Sequence, residues 1–300
     1  LLATPPACLA SMVRCFMVFS TLPRNLVKRS GHTGPGRHVM KTLDESIIAS
    51  LDGSHLALLE HIPYLLQDLW AIGADPDTMA NLILQHIPME TPRILDLGCG
   101  KGAVSVRIAQ EVDCTITGID GIPGFIQAAE GYAQQYHLQH CCTFEVGDIR
   151  LKIKDLQGFD IIILGAIGPV FGDLETTLHT LKKVLNTPGY VLLDDGYLED
   201  DDPIEYQRCL RKTAFYHQIQ AAGYSIWHEE LFHRAYIEQS DDHIFDAIKQ
   251  RAGELIVLHP EKRSMFEAYI EDQIFENSML EKHIITGTWL LSNIPAPTNP

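Results

Sequence analysis

The chain has 300 residues, 46% of them apolar and 21% charged, which suits a globular protein with a sizeable core and excludes a disordered chain. Its 39 acidic residues outnumber 23 basic ones, for a formal charge of −16. Long nucleic acids and anionic lipid call for an electropositive footprint, so neither is an expected partner. No stretch reaches the roughly 18 apolar residues of a membrane helix, so a soluble protein is expected.

Residues 1–43 hold Arg14, Arg24, Lys28, Arg29, Arg37 and Lys41 and no acid. Pro5-Pro6 and Gly34-Pro35-Gly36 interrupt them, and no helical or strand period runs through. A transit-type presequence, a translated upstream leader with Met40 as the natural start, and a functional basic tail all fit; the leader fits best. Residues 1–40 are therefore expected to be a disordered leader or non-native extension, and residues 41–300 a single domain. Seven cysteines (Cys8, Cys15, Cys99, Cys114, Cys141, Cys142, Cys209) include no C-x-x-C, which argues for a reducing, cytoplasmic setting without structural disulfides. His137-x-x-His140-Cys141-Cys142 has metal-ligand residue types but leads straight into a strand, so no metal site is expected.

From Leu56 to Ile87 the chain reads as a helical cap, residues 41–90 in all. Pro63 opens a helix carrying Leu65, Leu66, Leu69 and Ile72 on one side and ending at Gly73. Asp75-Pro76 starts the next, an N-cap acceptor followed by proline at the first helical position. After Pro92 short apolar runs alternate with helical stretches. The runs are Arg93–Leu97, Cys114–Ile119, Thr143–Val146, Phe159–Leu164 and Tyr190–Leu193; the helices are Ala103–Glu111, Pro123–Tyr136 and Asp173–Leu185. Near-continuous apolar strands such as Ile161-Ile162-Ile163-Leu164 suit a parallel sheet covered on both faces, so residues 91–197 predict a doubly wound α/β core. Beyond it, in 198–300, Asp202-Pro203 opens a helix to about Ala222 and Tyr224–Phe232 reads as a strand. Residues 241–283 are mostly helical, broken at His259-Pro260, and Thr286–Leu291 is a last strand.

The stretch Asp96-Leu97-Gly98-Cys99-Gly100-Lys101-Gly102 follows a strand and opens a helix. Glycines there let the backbone turn sharply and approach a ligand, and helix-terminal amides add donors and positive potential. Asp96 stands at the strand's carboxyl end, placed to receive an ammonium group. Asp120 ends the next strand, where an acid accepts both ribose hydroxyls. Asp148, in Gly147-Asp148-Ile149, ends the third, where it accepts from an adenine amino group while its neighbour packs on the ring.

With this set the sequence resembles the class I S-adenosylmethionine-dependent methyltransferases. The D-x-G-x-G-x-G pattern stands as Asp96, Gly98, Gly100 and Gly102, and Phe159-Asp160-Ile161-Ile162 and Pro188-Gly189-Tyr190-Val191 match the family's later strands. The small-molecule members, similar to quinone-biosynthesis and TehB-like enzymes, are nearest in character. The resemblance implies S-adenosyl-L-methionine as cofactor and a Rossmann-like, mostly parallel seven-stranded sheet with a helical insertion before its last strand. It also implies cofactor contacts from Asp96, Leu97, Gly98, Cys99, Gly100 and Gly102, from Asp120, Gly121 and Ile122, from Gly147, Asp148 and Ile149, and from Leu164 and Gly165.

Two alternatives stand beside this reading. Gly98-x-Gly100-x-x-Ala103 also satisfies a dinucleotide fingerprint, so an NAD(P)-dependent oxidoreductase is the rival; Asp96 and the lack of any Tyr-x-x-x-Lys argue against it. A protein that holds S-adenosylmethionine without catalysis is the other. Methyl transfer by in-line displacement asks mainly for alignment, so no catalytic pair need appear. The loop Gly165–Asp173 is apolar and glycine-rich and lacks the Asn/Asp-Pro-Pro-Tyr/Phe motif of amino-methylating enzymes of DNA and protein, which with the acidic charge points to a small-molecule acceptor. Acceptor-side candidates are Tyr64 and Gln67 in the cap, Ala166, and Glu199 at the head of an acidic run to Asp202 that would attract a cation. His228, Glu229, Glu230 and His233, on or beside a late strand, are candidate bases. Trp70 is expected to pack.

Overall fold

The computed structural model describes residues 41–296, and the leader predicted at 1–40 lies outside them. Its strands are β1 (Arg93–Leu97), β2 (Thr115–Asp120), β3 (Cys142–Val146), β4 (Phe159–Gly165), β5 (Leu185–Leu198), β6 (Leu210–Arg211), β7 (Ser225–Leu231) and β8 (Ile284–Ser292). The helices are α1 (Leu43–Ser50), α2 (Ile62–Leu65), α3 (Pro76–His86), α4 (Ala103–Glu111), α5 (Pro123–Gln135), α6 (Ile149–Lys152), α7 (Leu174–Lys182), α8 (Lys212–Ala221), α9 (Arg234–Leu258) and α10 (Arg263–Lys282).

One sheet runs in the order β3-β2-β1-β4-β5-β8-β7, with the two-residue β6 pairing β5 off this path, so it has eight strands where seven were expected. The first five strands pair in parallel, and β8 lies antiparallel between β5 and β7. Ile161, Ile162, Ile163 and Leu164 are all buried, the two-sided burial that continuous apolar strands predict. On one face Ile94, Ile116, Ile163 and Leu290 pack on Met79 and Ile83 of α3 and Val106 of α4. On the other, Leu95, Ile162, Leu193 and Trp289 pack on Leu178 and Leu181 of α7 and Phe215 and Ile219 of α8. The strand order turns back on itself between β1 and β4, so a crevice opens at their carboxyl ends.

A third apolar cluster lies outside the sheet. Ile48, Leu58, Ile62, Leu65 and Leu69 of the cap pack on Ile244, Ile248, Leu255 and Phe266 of the α9–α10 insertion. Local signals start these elements: Asp75 accepts from the backbone of Asp77 and Thr78 ahead of Pro76, as expected, and Thr42 and Glu45 form a capping box on α1, a helix not among those predicted.

Two predicted helices are shorter than their sequences suggest. The one at Pro63 ends at Leu65, and turns carry the chain to Gly73. The buried Lys101 Nζ donates to the carbonyls of Leu66 and of Leu69, the latter at 2.7 Å, and so takes up acceptors that a continuing helix would need. The helix predicted from Asp202 begins only at Lys212. The Arg211 guanidinium donates to the carbonyls of Glu199 (2.9 Å), Asp202 (2.8 Å) and Ile204 (2.5 Å), and the Asp202 carboxylate turns back to Ile204 N, so the segment wraps around one side chain.

Candidate functional site

Of the three strand-end acids, Asp120 and Asp148 border the crevice at the switch point and Asp96 a side recess that adjoins it. The crevice measures about 730 Å³ and is bordered by Gly98 and Gly100 after β1, Asp120, Gly121 and Ile122 after β2, Gly147, Asp148 and Ile149 after β3, and Gly165 and Ala166 at the end of β4. The loop after β1 needs its glycines, since Gly98, Gly100 and Gly102 have φ of +74°, +53° and +73°. A Cβ on Gly98 would meet Ile167 Cγ2 at 2.4 Å, whereas one on Gly100 would meet nothing within 4 Å. Gly100 thus borders open space, and its amide donates to Asp120 Oδ2 at 3.0 Å.

Asp120 is held from both sides, its second oxygen accepting from Ile122 N at 2.8 Å. Burial pushes its carboxyl up to about 6, against these backbone donors, which pull it down. Asp96 sits in a side recess that shares Ile72, Gly98, Gly100 and Gly165 with the main crevice. It accepts from Ser105 Oγ at 2.6 Å, and burial pushes it up to about 7 although that bond opposes the shift. Asp148 caps α6 and is gripped by Arg150, whose Nη2 stands 2.7 Å from Oδ2; the guanidinium holds this carboxyl below its ordinary range. Arg150 Nη1 also donates to Lys41 O at 2.9 Å and so ties the start of α1 to the rim.

The roof is α1. Leu43, Ser46, Ile47, Ser50 and Leu51 border the crevice, and a Cβ on Gly121 would strike Ile47 Cδ1 at 2.6 Å. Trp70 stacks on Tyr132 and Tyr136 (centroids 4.4 and 5.8 Å) and donates to Lys101 O at 3.1 Å, packing as expected while bordering the Asp96 recess.

Several sequence candidates stand elsewhere. Leu97 is buried in the sheet core, and Gly102 caps α4 where a Cβ would meet Ala129 Cβ at 2.9 Å and Phe144 at 3.0 Å. Cys99 borders the side recess, and Leu164 borders a separate cavity. Tyr64 donates to Glu254 of α9 at 2.5 Å under the Arg251 guanidinium, and Gln67 lies against the same guanidinium, so both clamp cap to insertion and neither borders the crevice. Glu199 pairs with Lys212 at 2.9 Å. His228 stacks on His86 at the far side of the sheet's β7 edge, and His233 caps α9 with its backbone. Ala166 alone of the acceptor-side candidates borders the crevice, with φ +57°. Ser105, Arg150 and Ile47 were not singled out from sequence. Only Arg150 had a local signal, a cation two residues after a strand-end acid.

Comparison with known proteins agrees with this geometry. A family described as "Methyltransferase domain" matches residues 90–253, more than half of the chain. The chain belongs to this family, and residues 90–253 form a methyltransferase domain of the S-adenosylmethionine-dependent type. The release factor glutamine methyltransferase of Salmonella typhimurium is 30% identical over 213 residues, covering 56% of this chain and 77% of that protein. The sterol 24-C-methyltransferase of Candida albicans is 33% identical over 100 residues (33% of this chain, 27% of that protein). The ubiquinone biosynthesis O-methyltransferase of Coxiella burnetii is 35% identical over 80 residues (27% and 33%). The chain therefore spans about a third or less of the length of these last two. Among solved structures, a SAM-dependent methyltransferase from Geobacter sulfurreducens in complex with S-adenosyl-L-homocysteine superposes with a TM-score of 0.66 at 17% identity, covering 77% of this chain and 97% of that one. The nicotinamide alternative finds no support in these comparisons.

Proposed function

We propose that this protein is an S-adenosylmethionine-dependent methyltransferase acting on a small-molecule acceptor in a cytoplasmic setting, with residues 41–300 working as one unit. The observation that carries the reading is that Asp120 and Asp148 border one open crevice beside a glycine-rich turn while Asp96, at the tip of the neighbouring strand, lines a recess that shares that turn with it. The acids end the neighbouring strands β1, β2 and β3, the order in which an elongated nucleoside presents ammonium, ribose and adenine. Asp120, fixed by two backbone donors, accepts from the ribose hydroxyls. Asp96, oriented by Ser105, faces the ammonium. Asp148, already shared with Arg150, borders the adenine end, where Ile149 supplies an apolar surface. S-adenosylmethionine bound there supplies an activated methyl group on a sulfonium centre. The chain's own work is alignment and exclusion of water: Leu43 and Ile47 of α1 roof the crevice, and Ile167 and Ala166 wall it on the β4 side.

A small acceptor is supported by the net charge of −16 and by the absence of the Asn/Asp-Pro-Pro-Tyr/Phe motif after β4. Of the relatives named above, two have names that point to sterol and ubiquinone chemistry and one to a protein, the release factor. Calorimetric titration with S-adenosylmethionine, S-adenosylhomocysteine and NADH tests the cofactor. Binding of the first two that disappears in Asp120→Ala supports the reading, and binding of NADH alone overturns it.

A further inference from the structure

Arg150 borders the crevice beside Asp148 and bridges to Lys41, 109 residues earlier in the chain. Its Nε stands 2.9 Å from Asp148 Oδ1 and its Nη2 2.7 Å from Oδ2, while Nη1 donates to Lys41 O at 2.9 Å. One edge of the planar fork meets the carboxylate and leaves the remaining nitrogen for the carbonyl, which a lysine ammonium could not reproduce. Only 18% of the Arg150 side chain and 14% of that of Asp148 is exposed, so these charge-assisted bonds lie largely out of water.

Lys41 leads into α1, whose two ends are held differently. Ile48 and Leu51, toward its end, are buried in the apolar cluster with Leu58 and Ile62. Toward its start, Leu43 and Ile47 lie over Gly121, where an added Cβ would meet Ile47 Cδ1 at 2.6 Å and Leu43 Cδ1 at 3.3 Å. The capping box of Thr42 and Glu45 is exposed and bonds the helix only to itself, so it shapes α1 without seating it. The bond from Arg150 ties this start to the strand tip that carries Asp148. A base resting on Ile149 would displace water from around the Asp148–Arg150 pair, and in drier surroundings the guanidinium holds both partners more firmly. A seated α1 in turn covers the base. Because linkage is reciprocal, each event favours the other.

We propose that Arg150 is a positioning residue that couples binding of the cofactor's adenine end to the seating of α1 over the crevice. The assignment rests on the methyltransferase reading above. The test follows amide exchange of residues 43–50 by mass spectrometry in the full chain, with and without saturating S-adenosylhomocysteine. The ligand is expected to slow exchange there by at least about tenfold in the unaltered protein. In Arg150→Lys, which keeps the charge and loses the fork, and in Arg150→Met, the slowing should be less than about threefold. Calorimetric affinity for S-adenosylhomocysteine should fall by about tenfold in either variant. Ile47→Ala thins the roof without touching Arg150 and should cost about fivefold alone, but less than about twofold when added to Arg150→Met, since both act through one seated helix. A merely structural ion pair would leave the two effects to multiply. Exchange in the buried run 161–164 should stay as it is, which separates a loosened roof from a loosened sheet. Equal slowing with and without the guanidinium, effects that multiply, or loosening of roof and sheet together overturns the coupling and leaves the cofactor reading standing. Failure of S-adenosylhomocysteine to bind the unaltered protein would instead sink the cofactor reading, and the coupling with it.

Discussion

The crevice at the strand tips and the clamp between cap and insertion are built on different principles. Crevice residues come from strand tips spaced along one continuous stretch, Asp96 to Gly165, and each is placed by the strand that precedes it. The clamp joins segments from far apart in the chain: Arg251 of α9 pairs with Asp68, Tyr64 with Glu254, and Ile62 and Leu65 pack against the α9–α10 pair. A local design resists change because every strand is also a core element. A long-range one can loosen without unfolding the sheet, which suits a surface that must admit and release ligands.

The widest gap between the regions should appear in stability. Trp289 is fully buried in β8, 4.8 Å from the Phe215 ring and 2.5 Å from a Glu229 oxygen. Trp289→Ala should cost about 3–5 kcal/mol in urea unfolding, whereas Tyr64→Phe in the clamp should leave the midpoint nearly unmoved. Equal losses would show that clamp and sheet unfold as one.

Binding should rank the crevice residues next. Asp120→Ala removes the acceptor that two backbone amides hold in place, and S-adenosylmethionine affinity should fall by at least about 100-fold in calorimetry with the melting curve little changed. The same crevice predicts a pH effect. Asp120 and Asp96 are pushed up to about 6 and about 7, so both gain charge as pH rises from 5 to 8. Affinity for a ligand bearing an ammonium should increase across that range with release of protons. Stability of the ligand-free protein should move the opposite way, because the folded state binds more protons than the unfolded one between their ordinary and raised values. Ser105→Ala removes a bond that lowers the Asp96 carboxyl, so the rise in affinity should shift to higher pH.

Lys101 joins the two regions. Its Nζ bonds the carbonyls of Leu66 and Leu69 while its own carbonyl accepts from Trp70. Lys101→Met should weaken S-adenosylhomocysteine binding by about tenfold and raise proteolysis within residues 60–75, with the sheet intact. The smallest effect belongs to Glu199, whose carboxylate pairs with Lys212 at the surface; Glu199→Gln should leave turnover and its ionic-strength dependence as they are. A marked change would restore the acidic run at 199–202 as an acceptor-steering feature.

The strands of the core, the glycine turn and the three acids were legible in the sequence because each is a local pattern: Ile161–Leu164 is apolar throughout, and Asp75-Pro76 writes its own helix start. The predicted helices from Pro63 and Asp202 failed for one shared reason, since in each a distant or neighbouring cation, Lys101 or Arg211, takes the backbone carbonyls. Tyr64, Gln67, His228 and His233 carry plausible chemistry in plausible elements, yet nothing in their spacing says which way those elements face.

Sequence alone determined the doubly wound core and the identity of the acids at its strand tips, since strand periodicity and glycine turns are written over a few consecutive residues. Only the tertiary structure decided that α1 roofs the crevice and that cap and insertion hold each other. Those neighbours lie up to some 200 residues apart, and their meeting depends on how whole elements pack rather than on any local preference.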